Sequence, residues 1–118
     1  RLVVGDTGKF IRYSTETGAR GIVIEAFGRG NIPRPVMEAL TAALEAGQVV
    51  VVVSRTREGR VALSSRLLDA GVIEGEDLDG LKARIVLMLA LGAEIGVDEI
   101  QDLFRRVGGT YTKNEGEW

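Results

Sequence analysis

The sequence predicts a three-layer α/β domain, a small parallel sheet of about four strands with helices on both faces. Three observations predict it. Short β-branched runs alternate with helical segments along the chain. One of those runs, residues 49–53, is five consecutive valines; valine is stiff at χ1 and favours strands, so this run suits the buried centre of a parallel sheet. Strands separated by helices of about ten residues or more need crossover connections, which are right-handed and place helices on the faces of a parallel sheet.

The elements follow in order. Leu2-Val3-Val4 reads as a weak first strand. Residues 9–17 read as a weak helix on which Phe10, Tyr13 and Thr17 share a face, with Ser14 and Thr15 poor helix formers and Gly18 suited to its end. Asp6 or Thr7 is expected to cap that helix. Residues 21–27 form a strand whose apolar start fits burial on both faces. Residues 35–46 form the clearest helix: Val36, Ala39, Leu40, Ala43 and Leu44 make one apolar stripe. Pro33 and Pro35 fit at or before its first turn, and Gly47 follows its last.

After the valine strand, residues 56–65 are polar, charged and left without an element. Val72-Ile73 is expected to be a short edge strand. Asp77 is expected to cap a helix running to about residue 93, with Asp79 adding negative charge at its start. The last helix covers residues 99–107, with Asp98 and Gln101 as a capping box and Ile100, Leu103, Phe104 and Val107 as its stripe. Gly108-Gly109 ends it. The expected division is an α/β domain over residues 1–109 and a loose tail over 110–118.

Composition removes several classes of chemistry. The chain has 118 residues, 15 basic and 17 acidic, with no Cys and no His. No basic excess points to nucleic acid or an anionic membrane. Disulfides, thiolate chemistry, Ser-His-Asp triads and Cys or His metal ligands are all excluded; a carboxylate-only metal site stays open, but no dense Asp/Glu loop suggests one, and no metal or cofactor is expected. The chain opens with Arg1 and runs directly into Leu2-Val3-Val4, as a piece of something longer would. No signal peptide is visible in this stretch, an upstream one being left open, and the compartment expected is the cytoplasm. The longest apolar stretch, residues 85–93, is too short to span a bilayer and suits a buried helix.

Ligands of open α/β sheets sit at the carboxyl ends of strands. The first such end is Phe27-Gly28-Arg29-Gly30-Asn31. Its glycines permit positive φ and close backbone approach, Asn31 can donate and accept at once, and Arg29 could grip a carboxylate. A helix N-terminus follows. The same residues also fit a plain tight turn before a helix. The second end is Ser54-Arg55-Thr56-Arg57-Glu58-Gly59-Arg60, either an anion or intersubunit contact or a solvated loop with one partly buried Arg. Gly5-Asp6-Thr7-Gly8 offers a Thr but no neighbouring base to activate it. Glu74, Glu76, Asp77 and Asp79 lack calcium-loop spacing and read as a helix start.

Several segments together resemble the C-terminal domain of bacterial-type L-asparaginases, of the asparaginase/glutaminase family. They are Gly18-Ala19-Arg20-Gly21-Ile22-Val23 leading through Gly28-Arg29-Gly30-Asn31 to Pro33, then Val51-Val52-Val53-Ser54-Arg55 with Gly59. The most recognisable is Leu78-Asp79-Gly80-Leu81-Lys82-Ala83-Arg84 followed by an apolar helix, and residues 98–104 resemble the closing helix. The resemblance covers roughly residues 19–107. It implies hydrolysis of L-asparagine to L-aspartate and ammonia by a Thr nucleophile, aided by a second Thr, an Asp and a Lys, all in an N-terminal domain absent from this chain. It also implies a homodimer or tetramer whose C-terminal domain completes a neighbour's site. No catalytic residue is then expected here. Asn31, with Gly28 and Gly30 shaping its turn and Arg29 beside it, is expected next to the substrate or one layer behind it. The expected partners are the N-terminal domain, a second copy and L-asparagine, with no nucleic acid and no membrane.

Two departures bear on substrate choice. Many secreted members of the family have Asn where this chain has Arg29. Some place a Glu, from the loop after Ser-Arg, near the substrate amine, a role not carried onto Glu58. Preference between Asn and Gln therefore stays open. Two other readings compete: the asparaginase-like component of an archaeal-type tRNA-dependent amidotransferase, and a small-anion-binding regulatory module built on the Gly28–Asn31 turn.

Overall fold

The structure, a computed structural model, describes residues 1–56 and 59–108. The elements run α1 (Lys9–Glu16), β1 (Gly21–Ala26), α2 (Arg34–Glu45), β2 (Val49–Ser54), α3 (Ser65–Asp69), β3 (Ile73–Glu74), α4 (Gly80–Gly92) and α5 (Val97–Gly108). The sheet order is β1-β2-β3, all parallel, with the valine strand in the centre. Its side chains alternate between two cores, as the period of a strand requires. Val50 and Val52 join Ile24, Val36, Leu40 and Leu67 on one face. Val51 and Val53 join Ile73, Leu87, Ile100 and Phe104 on the other. Each fully buried valine contributes about 1.5–3 kcal/mol relative to exposure, which is why β2 holds the layers together.

The sheet has three strands among the described residues, against the four expected. Leu2 is buried and donates its N–H to Glu25 O at 2.9 Å, a single ladder-like contact. Asp6 N then donates to Val3 O, and Gly5 takes a φ of 83°, so the chain turns away before a strand can form. α1 also differs from expectation. Its buried residue is Ile11, while Phe10 and Tyr13 are exposed. Gly8, not Asp6 or Thr7, is its N-cap; Asp6 Oδ1 accepts from Gly8 N at 2.8 Å just before the helix. Gly8 is required there, because its φ is 77° and an added Cβ would lie 2.6 Å from Ala39 Cβ.

α2 forms one residue earlier than expected and buries Val36, Ala39, Leu40 and Ala43, the stripe its spacing demands. It ends in a Schellman motif, with Gly47 N to Leu44 O and Gln48 N to Ala43 O, both 3.0 Å. α3 has no counterpart in the sequence reading; Ser64 caps it. β3 sits one residue later than expected. Asp79 rather than Asp77 caps α4, its Oδ1 accepting from Lys82 N at 2.8 Å. Glu76 takes a φ of 58° and Leu78 N bonds Gly75 O, so the chain is still turning at Asp77. The capping box of α5 does not form either. The helix begins at Val97, which puts Asp98 inside its first turn, and the Gln101 amide turns instead to the backbone of Glu74. Ile100 and Phe104 are buried as expected, while Val107 is exposed. The tail expected over 110–118 lies outside the described residues.

α4 is apolar on all sides, a pattern that demands cover on every face. Ala83, Leu87 and Ala90 pack on the sheet. Leu81, Met88 and Leu89 stand 68%, 61% and 70% exposed, with Ile85 between them. A bare stripe of this kind is rarely tolerated by a monomer. The domain on its own is therefore expected to self-associate: sedimentation should show mass rising with concentration, and Leu81→Glu with Met88→Glu should abolish the rise. A single monomeric species at all concentrations would contradict this.

Candidate functional site

β1 and β2 end side by side, Ala26 opposite Ser54, and the candidate site lies where the two chain segments leave the sheet. Beyond β1, Gly30 N and Asn31 N both donate to Phe27 O, at 2.9 and 2.8 Å, and Phe27 N donates to Asn31 O at 3.2 Å. This closes a tight loop with Asn31 at its exit. Gly28 has a φ of 49° and Gly30 a φ of 117°. At Gly30 the backbone angle disfavours any side chain, and Leu63 packs against the open face, its Cδ2 2.7 Å from where a Cβ would stand. The turn is therefore closed by backbone bonds, those of Asn31 included, and the Asn31 side chain takes no part in closing it.

The Arg29 and Asn31 side chains are exposed, and neither has a hydrogen-bond partner among the described residues. The helix N-terminus after them is a weaker anion site than the sequence implies. α2 starts three residues later at Arg34, with Pro33 as N-cap and Pro35 removing one of the free N–H donors.

The second strand end is largely committed to the fold. Arg55 N donates to Ala26 O at 2.8 Å, its guanidinium lies 5.1 Å over the Phe27 ring, and Nη1 donates to Leu2 O at 3.1 Å. It is the partly buried arginine of the loop and ties the start of the turn to the N-terminal segment. Ser54 and Thr56 hydroxyls are 2.6 Å apart. Arg60 forms an ion pair with Glu76, which is 2% exposed. Arg57 and Glu58 lie outside the described residues, and so does any part they take in an anion site.

Residues 61–63 connect the turn to the far side of the sheet. Val61 N donates to Glu76 O at 3.2 Å, Ala62 N to Arg29 O at 2.8 Å and Leu63 N to Glu74 Oε1 at 2.8 Å. Glu74 and Glu76, expected only as part of a helix start, thus hold the loop that holds the turn. The short apolar run Val61-Ala62-Leu63, inside an otherwise polar segment, was the available signal for an ordered segment here.

Asn31 presents an exposed amide at the turn, and the Ser54 and Thr56 hydroxyls at the end of β2 are hydrogen-bonded to each other. Thr7 is exposed at the start of α1, its carbonyl accepting from Arg12 Nη1 at 2.7 Å. The chain lacks His and Cys. Among the described residues no three His, Cys, Asp or Glu side chains group as metal ligands, and no helix is long and apolar enough to cross a membrane. An open groove of about 740 Å³ runs elsewhere, between the outer edge of β1 and α4, lined by Arg1, Ile22, Glu25, Leu81, Met88 and Leu91. None of the four candidate turn residues lines it, and its mainly apolar wall belongs with the bare face of α4.

A family model for the Glutaminase/Asparaginase C-terminal domain matches residues 1–104. The chain is 38% identical over 93 residues to an L-asparaginase of Bacillus licheniformis, covering 73% of this chain and 29% of that protein. It is 35% identical over 106 residues to a glutamyl-tRNA(Gln) amidotransferase component from Pyrococcus horikoshii, covering 86% of this chain and 24% of that one. The crystal structure of a probable cytoplasmic L-asparaginase from Campylobacter jejuni superposes with a TM-score of 0.81 at 37% identity, over 86% of this chain and 34% of that one. The chain thus spans between 24% and 34% of the length of these relatives. The motif match, the three-layer parallel fold and the superposition agree: this chain belongs to the glutaminase/asparaginase C-terminal domain family.

Proposed function

We propose that the intact protein is an amidohydrolase that converts L-asparagine to L-aspartate and ammonia, and that this domain supplies a substrate-binding group rather than the nucleophile. The observation that carries the reading is Asn31. Its amide is exposed, free of intramolecular bonds among the described residues, and held at the exit of a turn that two glycines and Leu63 fix in place. A preorganised group that both donates and accepts suits the amino, carboxyl or amide groups of a small amino acid. The nucleophilic Thr belongs to a separate N-terminal domain, with residues 1–109 as the C-terminal α/β domain. The bare face of α4 fits assembly with that domain or a second copy, and the Campylobacter relative supports a cytoplasmic protein.

A second reading is favoured by the Pyrococcus relative: a protein that liberates ammonia for a tRNA-dependent amidotransferase. One assay separates them. The intact protein, purified without partners or tRNA, is expected to release ammonia from L-asparagine at a rate that added tRNA leaves unchanged. Release that requires tRNA and a second protein would favour the amidotransferase.

A further inference from the structure

We infer that Glu74 is a positioning residue for Asn31: its carboxylate tensions residues 61–63 as a strap across the carboxyl end of the sheet, and the strap fixes the Gly28–Asn31 turn. The inference rests on the proposed role of Asn31 at the substrate.

The strap is extended and alternates as a strand does. Val61 N and Leu63 N reach back to Glu76 O and Glu74 Oε1, at 3.2 and 2.8 Å, running antiparallel to residues 74–76. The intervening N–H, of Ala62, reaches the opposite way to Arg29 O at 2.8 Å. The strap thus bridges the end of β3 and the turn, with the central strand between them. Its second hold on the turn is Leu63, whose Cδ2 would lie 2.7 Å from a Cβ at Gly30. Both holds flank the residue that leads into Asn31.

Glu74 is the anchor because its own position is over-determined. Its backbone lies in register with Val52, its N–H donates to Gln101 Oε1 at 3.0 Å, and its carbonyl accepts from Gln101 Nε2 at 3.4 Å. Strand and helix together hold the backbone, and the side chain carries that fixity to Leu63. Glu76 also holds the strap, but it is buried, ion-paired to Arg60 and at a φ of 58°, so a change there would disturb folding. The Glu74 carboxylate is half-buried and makes one bond among the described residues, so its loss frees the strap with little other cost. A turn freed in this way must be ordered when substrate binds, which weakens binding before it slows chemistry.

The test uses the intact protein with Glu74→Ala, Glu74→Gln, Asn31→Ala and the double variant Asn31→Ala/Glu74→Ala. Two quantities are read: amide hydrogen exchange of peptides covering residues 27–31 and 61–63, and KM and kcat for L-asparagine. Glu74→Ala is expected to speed exchange of both segments roughly tenfold and to raise KM severalfold, with kcat within about twofold. Glu74→Gln, which keeps an oxygen for Leu63 N, is expected to restore both. In the Asn31→Ala background, Glu74→Ala should add nothing to KM, since both act through one group. Unchanged exchange in Glu74→Ala, a Gln that fails to restore it, or KM effects that multiply in the double variant would each overturn the inference. Should Asn31→Ala leave KM unmoved, it is the proposed function that fails, and the exchange result alone decides whether the strap holds the turn.

Discussion

Asn31→Ala in the intact protein is expected to lower kcat/KM for L-asparagine by between about fivefold and 150-fold, the range spanned by about 1–3 kcal/mol when a polar partner is left unmatched in a closed site. Most of the loss should appear in KM. The thermal midpoint should not move, because the Asn31 side chain makes no bond among the described residues and the backbone of Phe27 and Gly30 shapes the turn. Steady-state kinetics beside a melting curve checks both halves. A fall in stability that tracks the fall in activity would make Asn31 a structural residue. Wild-type kinetics would remove it from the site.

Phe104→Ala carries the largest expected effect on stability. Phe104 is fully buried in the core beneath α5, in one cluster with Val51, Val53 and Ile73. Truncating a buried Phe removes transfer free energy and leaves a cavity that a β-sheet floor cannot close, a loss of about 3–5 kcal/mol. That is a large fraction of the stability of a domain this size. Urea unfolding of the domain should show a much lower midpoint with an unchanged slope. A loss below about 1 kcal/mol, at the low end for core truncations, would mean that α5 is not packed as described. α5 also carries Gln101, so a loosened helix should further speed exchange at residues 61–63.

The fold was largely legible in the sequence because its signals are local. Five β-branched residues in a row favour a strand buried on both faces, and the stripe Val36, Ala39, Leu40, Ala43 specifies α2 almost to the residue. What was not legible depends on contacts between distant segments. Asp77 and Asp79 are equivalent as caps until Glu76 adopts a left-handed backbone that delays the helix. Gln101 looks like half of a capping box until β3 offers it a backbone strand end. The apolar run at Leu2 promises a strand, but the turn at Gly5 ends it after one ladder bond. The site shows the same division. The glycines and Asn31 stood out as a motif, whereas Glu74 is invisible as a positioning group until the strap brings it to Leu63, eleven residues away in sequence. Arg29 and Asn31 gain meaning from side chains left open to solvent, which only coordinates reveal.

The central claim is that this domain binds substrate but does not supply the nucleophile. It is tested most directly by measuring ammonia release from L-asparagine with residues 1–118 alone and with the intact protein, at equal molar concentration. The expected result is release by the intact protein and none by the chain alone. Release by the chain alone would contradict the claim and place a nucleophile among these residues, with Thr7 the first to be replaced.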